Sequence, residues 1–330
     1  MLLMSKQKIS LEDIKKPIQK ELKLFEQKFR DSMLSKVPLL DRITHYIYKR
    51  KGKQMRPLFV FFCAKMFGEI NDAVYRGAAM VELLHTATLV HDDVVDNSFE
   101  RRGFFSINAL WKNKIAVLVG DFLLAKGMLL SLNHDDFRVL KIVSNAIKQM
   151  SEGELLQMEK ARRMDIGEDL YFEVIRGKTA SLLASCCATG AAAGGASEEN
   201  IIQLGLFGEY IGMAFQIKDD LFDFGDDQIG KPKGLDIKEK KITLPLIYSL
   251  QVSTTSEKRH IIDLIRNHNE EKDKIKEVIS FVKEKGGIEK SYLKMEEYQA
   301  KALLILNQFV DSEWKSSLIK LISFTVDREL

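Results

Sequence analysis

Hydrophobic residues recur along most of the chain at intervals of three and four positions. One clear run is Val139, Ile142, Val143, Ile147 and Met150. This spacing places side chains on one face of an α-helix. Neither the period-two alternation of strands nor the Asn-Gly and Asp-Gly turns of hairpins separates such runs. The pattern therefore predicts an all-α fold.

The distribution of proline supports the prediction of long helices. The chain has 5 prolines, and none lies between Leu58 and Lys231. Because proline removes a backbone donor and crowds the preceding turn, this stretch contains no covalent helix breaker. Helix ends or turns are predicted at the glycines Gly68, Gly103, Gly153, Gly167 and Gly190, with close packing as the alternative for glycines inside the small-residue run at residues 180–196.

Composition narrows the classes of function. The formal net charge of +3 is too small to favour nucleic acid as a partner. The longest uncharged run, residues 180–196, is rich in small residues and shorter than the ~20 apolar residues that cross a bilayer, so we predict a buried helix and no transmembrane span. Residues 1–16 lack the pattern of a signal peptide, and the three cysteines lack disulfide or metal spacing. These features predict a cytoplasmic protein.

Two acidic pentapeptides lie in apolar, helix-patterned stretches. They are Asp92-Asp93-Val94-Val95-Asp96 and Asp219-Asp220-Leu221-Phe222-Asp223. On a helix, residues four apart project from the same face with about 5–6 Å between Cβ atoms, and like charges at that spacing are destabilising. A single copy is typical of a solvated helix face. Two copies in matching settings predict two walls of carboxylates that bind Mg²⁺.

Basic residues lie near both acidic motifs or in blocks of their own. They are Lys53, Arg56, Arg101, Arg102, Lys178, Lys231 and Lys241. Arginine binds phosphate bidentately and lysine binds it as a point charge. Each alone would be expected on a solvated surface, but beside two acidic walls they indicate a diphosphate held by both metal and protein.

The remaining organisation of the chain is simple. We predict a single domain over residues 1–330, with residues 1–20 as a flexible N-terminal extension. Residues 224–241, FGDDQIGKPKGLDIKEKK, are polar, glycine-rich and highly charged, and they directly follow the second motif. We interpret this segment as an active-site flap. A new helix is predicted to begin at Pro57.

Five separated blocks resemble the trans-prenyltransferase family, the all-trans polyprenyl diphosphate synthases. The blocks are Gly52-Lys53 with Arg56-Pro57, residues 83–96 with Arg101-Arg102-Gly103, Lys178-Thr179-Ala180, residues 215–223, and Gly230-Lys231 with Gly234, Asp236 and Lys241. The resemblance covers about residues 20–330. It implies the isoprenoid synthase fold, in which a single-domain bundle of long, mostly antiparallel helices surrounds a central cavity. It also implies a homodimer.

The resemblance implies a role for each matching residue. Asp92, Asp96 and Asp219 would bind metal, about three Mg²⁺ ions per site, and the catalytic set would be completed by Asp93, Asp220, Asp223 and Lys178. The diphosphate of an allylic substrate would be held by Arg101, Lys178, Thr179, Gln216, Lys231 and Lys241. Isopentenyl diphosphate would be held without metal by Lys53, Arg56, His85 and Arg102.

The implied reaction elongates an allylic prenyl diphosphate with isopentenyl diphosphate. Metal and basic side chains would stabilise the departing diphosphate, which can itself accept the proton that is lost. No side-chain base is then required. His91, beside the first motif, is predicted to have a structural role.

The helix that carries the first motif is predicted to set the product length. Ala87 and Thr88 lie about 6–7.5 Å from Asp92 along that helix and Leu84 about 12 Å, at a rise of 1.5 Å per residue. Small side chains at 87 and 88 leave a tunnel open, whereas a bulky aromatic there accompanies short products in the family. We predict a hexaprenyl to octaprenyl product for quinone side-chain synthesis. The alternatives are a short-chain farnesyl or geranylgeranyl diphosphate synthase, a non-catalytic subunit of a heteromeric synthase, and a terpene cyclase, which the second acidic motif disfavours.

Overall fold

Helices form most of the computed structural model, which describes residues 10–50, 52, 54–101, 103–161, 167–224 and 234–326. The first six α-helices are α1 Leu11–Lys15, α2 Gln19–Ser32, α3 Pro38–Lys49, α4 Met55–Lys65, α5 Asp72–Val95 and α6 Ile107–Leu132. The next five are α7 Phe137–Ala161, α8 Glu168–Ile175, α9 Ser181–Ala193, α10 Glu198–Phe224 and α11 Leu235–Lys238. The last five are α12 Leu244–Gln251, α13 Thr255–Asn267, α14 Lys272–Glu284, α15 Gly287–Leu306 and α16 Glu313–Val326.

Four short elements interrupt or join these helices in the part of the chain that the structure describes. A 3₁₀ turn at Lys16–Ile18 joins α1 to α2, and a π-helical turn at Arg176–Ala180 joins α8 to α9. After α5, strands β1 Glu100–Arg101 and β2 Phe104–Phe105 pair antiparallel around Gly103, whose φ of 76° suits glycine. The sequence did not predict this hairpin, because two-residue strands are too short to show any periodicity.

The described chain divides into two compact units. The first comprises residues 1–147, 185–205 and 310–321, and the second comprises residues 148–184, 206–309 and 322–330. The prediction of a single domain stays a prediction. Within the predicted N-terminal extension, α1 begins at Leu11, and Ile14 and Ile18 are buried.

The first unit is built around α5. Its residues are buried on nearly all sides through the N-terminal half of the helix, from Val74 to His85, which is typical of a central helix. Asn71 caps its N-terminus, since the Asn71 side chain accepts the Val74 amide at 3.0 Å. The helix α6 packs along α5, where Leu83 and Leu84 approach Gly127 closely.

The second unit has its core where α12 meets α8, α14 and α15. Tyr248 of α12 is buried, and its hydroxyl donates to Glu168 of α8 at 2.8 Å. A Cβ at Gly287 of α15 would lie 2.1 Å from the Pro245 carbonyl oxygen, so only glycine allows this approach of α15 to α12.

The predicted helix ends at glycine are only partly correct. Gly68 follows α4, Gly103 turns the hairpin and Gly167 precedes α8. Gly153 instead lies inside α7 as a close-packing position, and Gly190 lies inside α9, where the alternative of close packing is correct. A Cβ at Gly153 would lie 2.8 Å from the backbone nitrogen of Lys178, and a Cβ at Gly190 would lie 2.2 Å from the backbone oxygen of Val60. Local sequence cannot separate a glycine needed for a turn from one needed for packing.

Two further predictions about helices have clear outcomes. The small-residue run is a buried helix as expected, since α9 holds Cys186, Cys187 and Ala191 out of solvent. The helix predicted to begin at Pro57 begins at Met55, because Gln54 adopts the left-handed conformation with φ 52° and turns the chain there. Pro57 still lies in the first turn, where its missing amide costs nothing.

Candidate active site

The first acidic motif lies at the C-terminal end of α5. The last helical residue is Val95, and the amide of Asp96 closes the final turn onto the Asp92 carbonyl at 2.8 Å. Asp93 is buried, Asp92 is half-buried and Asp96 is exposed. Carboxylates are unfavourable here, because the C-terminal end of a helix carries the negative end of its macrodipole. A cation at this end would offset that repulsion.

Arg101 of the hairpin holds the buried carboxylate of this motif. Its Nε and its terminal nitrogen both lie 2.7 Å from Oδ1 of Asp93. Burial raises the pKa of Asp93, while the hydrogen bond and charge of Arg101 act in the opposite direction. Asn108 of α6 donates to the Asp93 carbonyl at 3.1 Å. Arg101 therefore orders the motif in this structure.

His91 has the contacts of a structural residue. Its ring lies directly over Gly120 of α6, where a Cβ would be 2.1 Å from Nε2. The same nitrogen lies 3.2 Å from the Val117 carbonyl and 3.5 Å from a carboxylate oxygen of Asp121. The ring fills the space that Gly120 leaves and joins α5 to α6, as the prediction of a structural role requires.

The second acidic motif occupies the last two turns of α10, so it also lies at the negative end of a helix. Asp219 is half-buried, and Asp220 is buried at 4% exposure. The Tyr171 hydroxyl donates to Asp220 at 2.6 Å, Gln216 donates to it at 3.1 Å, and the Leu244 amide also contributes a hydrogen bond.

Burial is the largest cause of the pKa shifts of Asp220 and Asp236. It raises the pKa of Asp220 to about 7, with the charge of Asp236 adding to the rise and the Tyr171 and Gln216 hydrogen bonds opposing it. Burial also raises the pKa of Asp236 to about 6, and the charge of Asp223 adds to that rise. Clustered, shifted carboxyls of this kind are typical of functional sites.

Lys178 and Thr179 are presented by the π-helical turn. The turn fits closely against α7, where a Cβ at Gly177 would lie 3.0 Å from the Gln149 carbonyl oxygen. Lys178 Nζ contacts Gln157 at 2.9 Å and Glu154 at 2.6 Å, and both partners belong to α7. Thr179 donates to Gln216 at 3.0 Å. Such π-turns are frequent at functional sites because they displace side chains from the regular helix.

These side chains surround a cavity of about 140 Å³ in the second unit. Its wall brings together five predicted site residues, Lys178, Thr179, Gln216, Asp220 and Lys241. It also contains polar residues absent from the predicted site, namely Gln157, Tyr171, Asp236 and Thr243. Asp236 belongs to a recognised block, whereas nothing in the local pattern distinguishes Tyr171 from a core aromatic.

Among the other side chains predicted to bind diphosphate, Arg56 and His85 belong to the first unit. Arg56 is half-buried in the first turn of α4, and its charge acts on the buried thiol of Cys186. His85 is 9% exposed on α5. Lys53, Arg102 and Lys231 lie outside the described residues, as do residues 225–233 of the predicted flap.

The predicted chain-length residues follow α5 back from the first motif. Ala87 and Leu84 are completely buried, and Leu84 lies against Gly127 of α6. The Thr88 hydroxyl donates to the His85 carbonyl at 2.8 Å, so it does not expose an unpaired polar group. Ala87 and Leu84 are thus enclosed by protein, and a channel beside them stays a prediction.

The donor sets fit a hard divalent cation bound together with a ligand. Carboxylate oxygens are the donors that Mg²⁺ prefers. Within the described ranges, no group of three or more His, Cys, Asp or Glu side chains is close enough to form a complete metal site. Mg²⁺ commonly keeps waters and is held by one or two carboxylates plus substrate phosphates. The arrangement therefore suits metal that binds with a diphosphate.

The helix α6 needs separate assignment, because by length and composition it could cross a membrane. Only 33% of its most apolar window is buried. One face nevertheless packs on α5 through residues such as Ala116, Val119, Gly120 and Leu123, which are all buried. We assign α6 as a helix of the packed fold.

Comparison with known proteins identifies the family. The polyprenyl synthetase family model matches residues 37–282. The chain is 36% identical over 322 residues to the all-trans-nonaprenyl-diphosphate synthase (geranyl-diphosphate specific) of Rhodobacter capsulatus, covering 96% of this chain and 98% of the relative. It is 34% identical over 301 residues to the octaprenyl diphosphate synthase of Escherichia coli K12, covering 91% and 93%.

A solved structure agrees with the sequence comparisons. The crystal structure of a polyprenyl synthase from Caulobacter crescentus CB15, complexed with calcium and isoprenyl diphosphate, superposes with a TM-score of 0.88 at 29% identity, covering 98% of this chain and all of that one. The all-α isoprenoid synthase fold is thereby confirmed, and the family uses divalent metal. The chain belongs to the polyprenyl synthetase family and is a prenyltransferase.

Proposed function

We propose that this chain is a Mg²⁺-dependent, long-chain all-trans polyprenyl diphosphate synthase that adds isopentenyl diphosphate units to an allylic prenyl diphosphate. The observation that carries the proposal is the placement of both acidic motifs at helix C-termini, where carboxylates need a cation, with the second motif beside a cavity lined by Lys178 and Lys241. The named products of the two relatives, nonaprenyl and octaprenyl diphosphates, support a long product.

The residues divide into three groups by proposed role. Asp92, Asp96 and Asp219 hold the metal, about three Mg²⁺ ions by family resemblance. Lys178, Thr179, Gln216 and Lys241 bind the allylic diphosphate, and we assign Arg101 and Lys231 to the same group. Arg56, His85, Lys53 and Arg102 bind isopentenyl diphosphate. The cavity supports the assignment of the group that binds the allylic diphosphate, because Lys178, Thr179, Gln216 and Lys241 all belong to its wall.

The reaction needs charge stabilisation more than acid–base groups. The bond between the allylic carbon and the diphosphate oxygen breaks, and the electron pair leaves with the diphosphate. Lys178 and Lys241 stabilise that developing negative charge, and bound Mg²⁺ supplies further Lewis-acid stabilisation. The alkene of isopentenyl diphosphate forms the new carbon–carbon bond, and the released diphosphate takes the proton whose loss restores a double bond.

Product length is proposed to depend on the face of α5 that carries Ala87, Thr88 and Leu84. Small side chains at 87 and 88 would leave room for a growing chain, and Leu84, which packs against Gly127, would limit that room further along the helix. We favour hexaprenyl to octaprenyl diphosphate, used for quinone side chains. A shorter farnesyl or geranylgeranyl product is the alternative within the same reaction.

We propose a homodimer that forms through the exposed face of α6. After the kink at Lys112, its exposed side chains include the large apolar residues Val117, Leu118, Met128, Leu129 and Leu132. An apolar stripe of this length is typical of a subunit interface. We also propose a cytoplasmic location, which is supported by the three buried cysteine thiols, Cys63, Cys186 and Cys187.

The decisive assay is direct. Purified protein is incubated with farnesyl diphosphate, labelled isopentenyl diphosphate and Mg²⁺, and the dephosphorylated products are separated by size. We expect long labelled chains, none in the presence of a chelator, and at least a ~100-fold loss of turnover in Asp92→Asn. Asp273→Asn, at a carboxylate that is 93% exposed in α14, is the matched control and keeps full turnover.

Two results would change the proposal in different ways. Failure of the wild-type protein to elongate any chain would reject the enzymatic function and favour a non-catalytic subunit. A product that stops at geranylgeranyl diphosphate would reject only the proposed length.

A further inference from the structure

Protein donors engage the carboxylates of both Asp220 and Asp223 in the second acidic motif, and those of Asp223 come from one short helix, α11. Oδ1 of Asp223 accepts the Leu235 amide at 2.8 Å, and its Oδ2 accepts the Asp236 amide at 3.1 Å. The Gly234 amide donates to the backbone carbonyl of Asp223 at 3.4 Å. Asp223 thus faces the beginning of α11 with both oxygens.

These contacts meet a specific need of α11. The first four amides of any helix lack intrahelical acceptors, and α11 is only one turn long, so it cannot stabilise itself. A carboxylate accepts through both of its oxygens, and those of Asp223 accept the Leu235 and Asp236 amides at the start of α11. The negative charge also favours the positive end of the turn. Asp223 acts as a cap supplied from another helix.

The far end and the body of α11 are fixed independently. Asn269 donates to the Lys238 carbonyl at 2.5 Å, and Lys240 donates to the Arg266 carbonyl at 2.8 Å. Ile237 is 1% exposed, so it anchors the turn in the core of the second unit. A Cβ at Gly234 would lie 2.3 Å from a methyl carbon of Ile275 on α14. Asp223 is the contact from α10 that completes this attachment.

The attached segment carries two residues of the cavity wall. Asp236 is in α11 itself, and Lys241 follows it, with the Lys241 amide bonded to the Asp236 carbonyl at 2.8 Å. We propose that Asp223 is a positioning residue that fixes α11, and through it Asp236 and Lys241, at the cavity wall, and is not itself a ligand of the metal. The kinetic part of this inference rests on the proposed function, whereas the structural part does not.

The test separates positioning from metal binding by comparing Asp223→Ala, Asp223→Asn and Asp219→Asn. Amide hydrogen exchange is followed by mass spectrometry over residues 234–241, with α15 as an internal reference for global opening. We expect Asp223→Ala to speed exchange of the amides at 235–237 by about tenfold or more. Asp223→Asn, which keeps one acceptor oxygen and the side-chain volume, should give a smaller increase. Asp219→Asn should leave this exchange unchanged.

Kinetics provides the second readout. Asp223→Ala should raise KM for the allylic diphosphate, with the Mg²⁺ concentration for half-maximal rate unchanged, and Asp223→Asn should recover part of the loss. Asp219→Asn should raise the Mg²⁺ requirement. Unchanged exchange at 235–237 in both Asp223 variants, or a Mg²⁺ requirement raised as in Asp219→Asn, would overturn the inference. If the wild type shows no turnover, the proposed function fails, while the exchange result still decides whether Asp223 holds α11.

Discussion

The basic side chains nearest the acidic motifs are ordered by partners of their own. Arg101 contacts Asp93, and Lys178 contacts Glu154 and Gln157. Long cationic side chains lose considerable rotamer entropy when they bind a ligand. Because these partners already restrict the basic side chains, diphosphate binding has less rotamer entropy to offset. The partners therefore favour binding, although they compete with the diphosphate for the same positive charges.

Individual site residues were predictable where a short sequence motif contains them. Asp92 and Asp219 belong to a repeated acidic motif, and Lys178 belongs to a recognised block. Tyr171 was not predicted, because it lies 49 positions from Asp220 and only the fold brings its hydroxyl to that carboxylate. The attachment of Asp223 to α11 was missed for the same reason, since a motif shows which groups are acidic but not which amides they face.

Replacement of Ala87 by Phe tests the proposed control of product length. Ala87 is completely buried on α5, beside Thr88 and one turn from Leu84. A Phe side chain there should block the space beside the helix and shift the product distribution to chains shorter by one or more isoprene units. Product sizing after reaction with farnesyl diphosphate measures the change.

The control for that substitution is Ala302→Phe on α15. Ala302 is also completely buried, so both variants overfill a packed site and should lose about 1–3 kcal/mol of unfolding free energy. Only the variant at 87 should change product length. Equal shortening in both would attribute the effect to general loosening of the protein.

Whole elements were predicted better at their centres than at their ends. The helical spacing and the missing prolines identify the long helices correctly, whereas Gly153 lies inside a helix where the sequence predicts an end. The acidic motifs were expected on helix faces, and the structure places them in the final turns of α5 and α10. A helix end depends on capping contacts from other segments, which a periodic pattern does not contain.

Two glycines of α10 make a matched pair for testing how closely this helix is packed. A Cβ at Gly212 would lie 2.5 Å from the Ala180 Cα, a backbone atom that can move only with its helix. Gly212→Ala should therefore lower the unfolding free energy by about 1–3 kcal/mol. It should also weaken turnover, because the Thr179–Gln216 hydrogen bond lies beside it.

At Gly205 the added methyl would meet only the Ala188 Cβ, at an ordinary 3.6 Å. Gly205→Ala should raise the unfolding free energy by about 0.5–1 kcal/mol, since alanine loses less backbone entropy in a helix. Urea denaturation of both variants measures the difference. Destabilisation of similar size at both positions would mean that backbone contact does not determine the effect.

The capping box of α13 gives a pH-dependent contribution to stability. Glu257 accepts from Lys285 at 2.7 Å and from the Thr254 amide at 2.8 Å, and these hydrogen bonds lower the pKa of Glu257 to about 2. A lowered pKa stabilises the fold above the unfolded value of 4.5, and this stabilisation is lost as the pH falls toward about 2.

The variant Glu257→Gln should therefore be less stable than the wild type at pH 7. The stability difference should shrink to less than about half by pH 3. Thermal unfolding at several pH values measures it. A difference that stays constant from pH 7 to pH 3 would show that the charge of Glu257 does not carry the effect.

At the scale of the whole molecule, the exposed stripe on α6 predicts the oligomeric state. Leu118 is 63% exposed in this stripe, and Leu118→Asp should convert a dimer to a monomer in analytical ultracentrifugation. Leu304→Asp is the matched control, because Leu304 is 64% exposed on α15 in the second unit. A wild-type monomer, or equal dissociation by both variants, would contradict the proposed interface.

The overall fold could be predicted because its signals extend over long stretches of sequence. Helical periodicity gives the class, and five separated blocks give the family, which the comparisons confirm along nearly the whole chain. The hairpin at residues 100–105 and the π-helical turn at 176–180 were not predicted. Each is short, and each is maintained by contacts to distant residues, such as the 2.6 Å hydrogen bond from Tyr46 to the Phe105 carbonyl.

The position of both acidic motifs at the negative ends of helices also bears on how this chain can evolve. Carboxylates there reduce the stability of the protein when no cation is bound, so a selection for heat resistance alone should favour their replacement by neutral residues. Variants recovered in that way would survive heating better and have lost turnover. We therefore expect selection for catalytic activity to keep both acidic motifs, although they lower the stability of the protein.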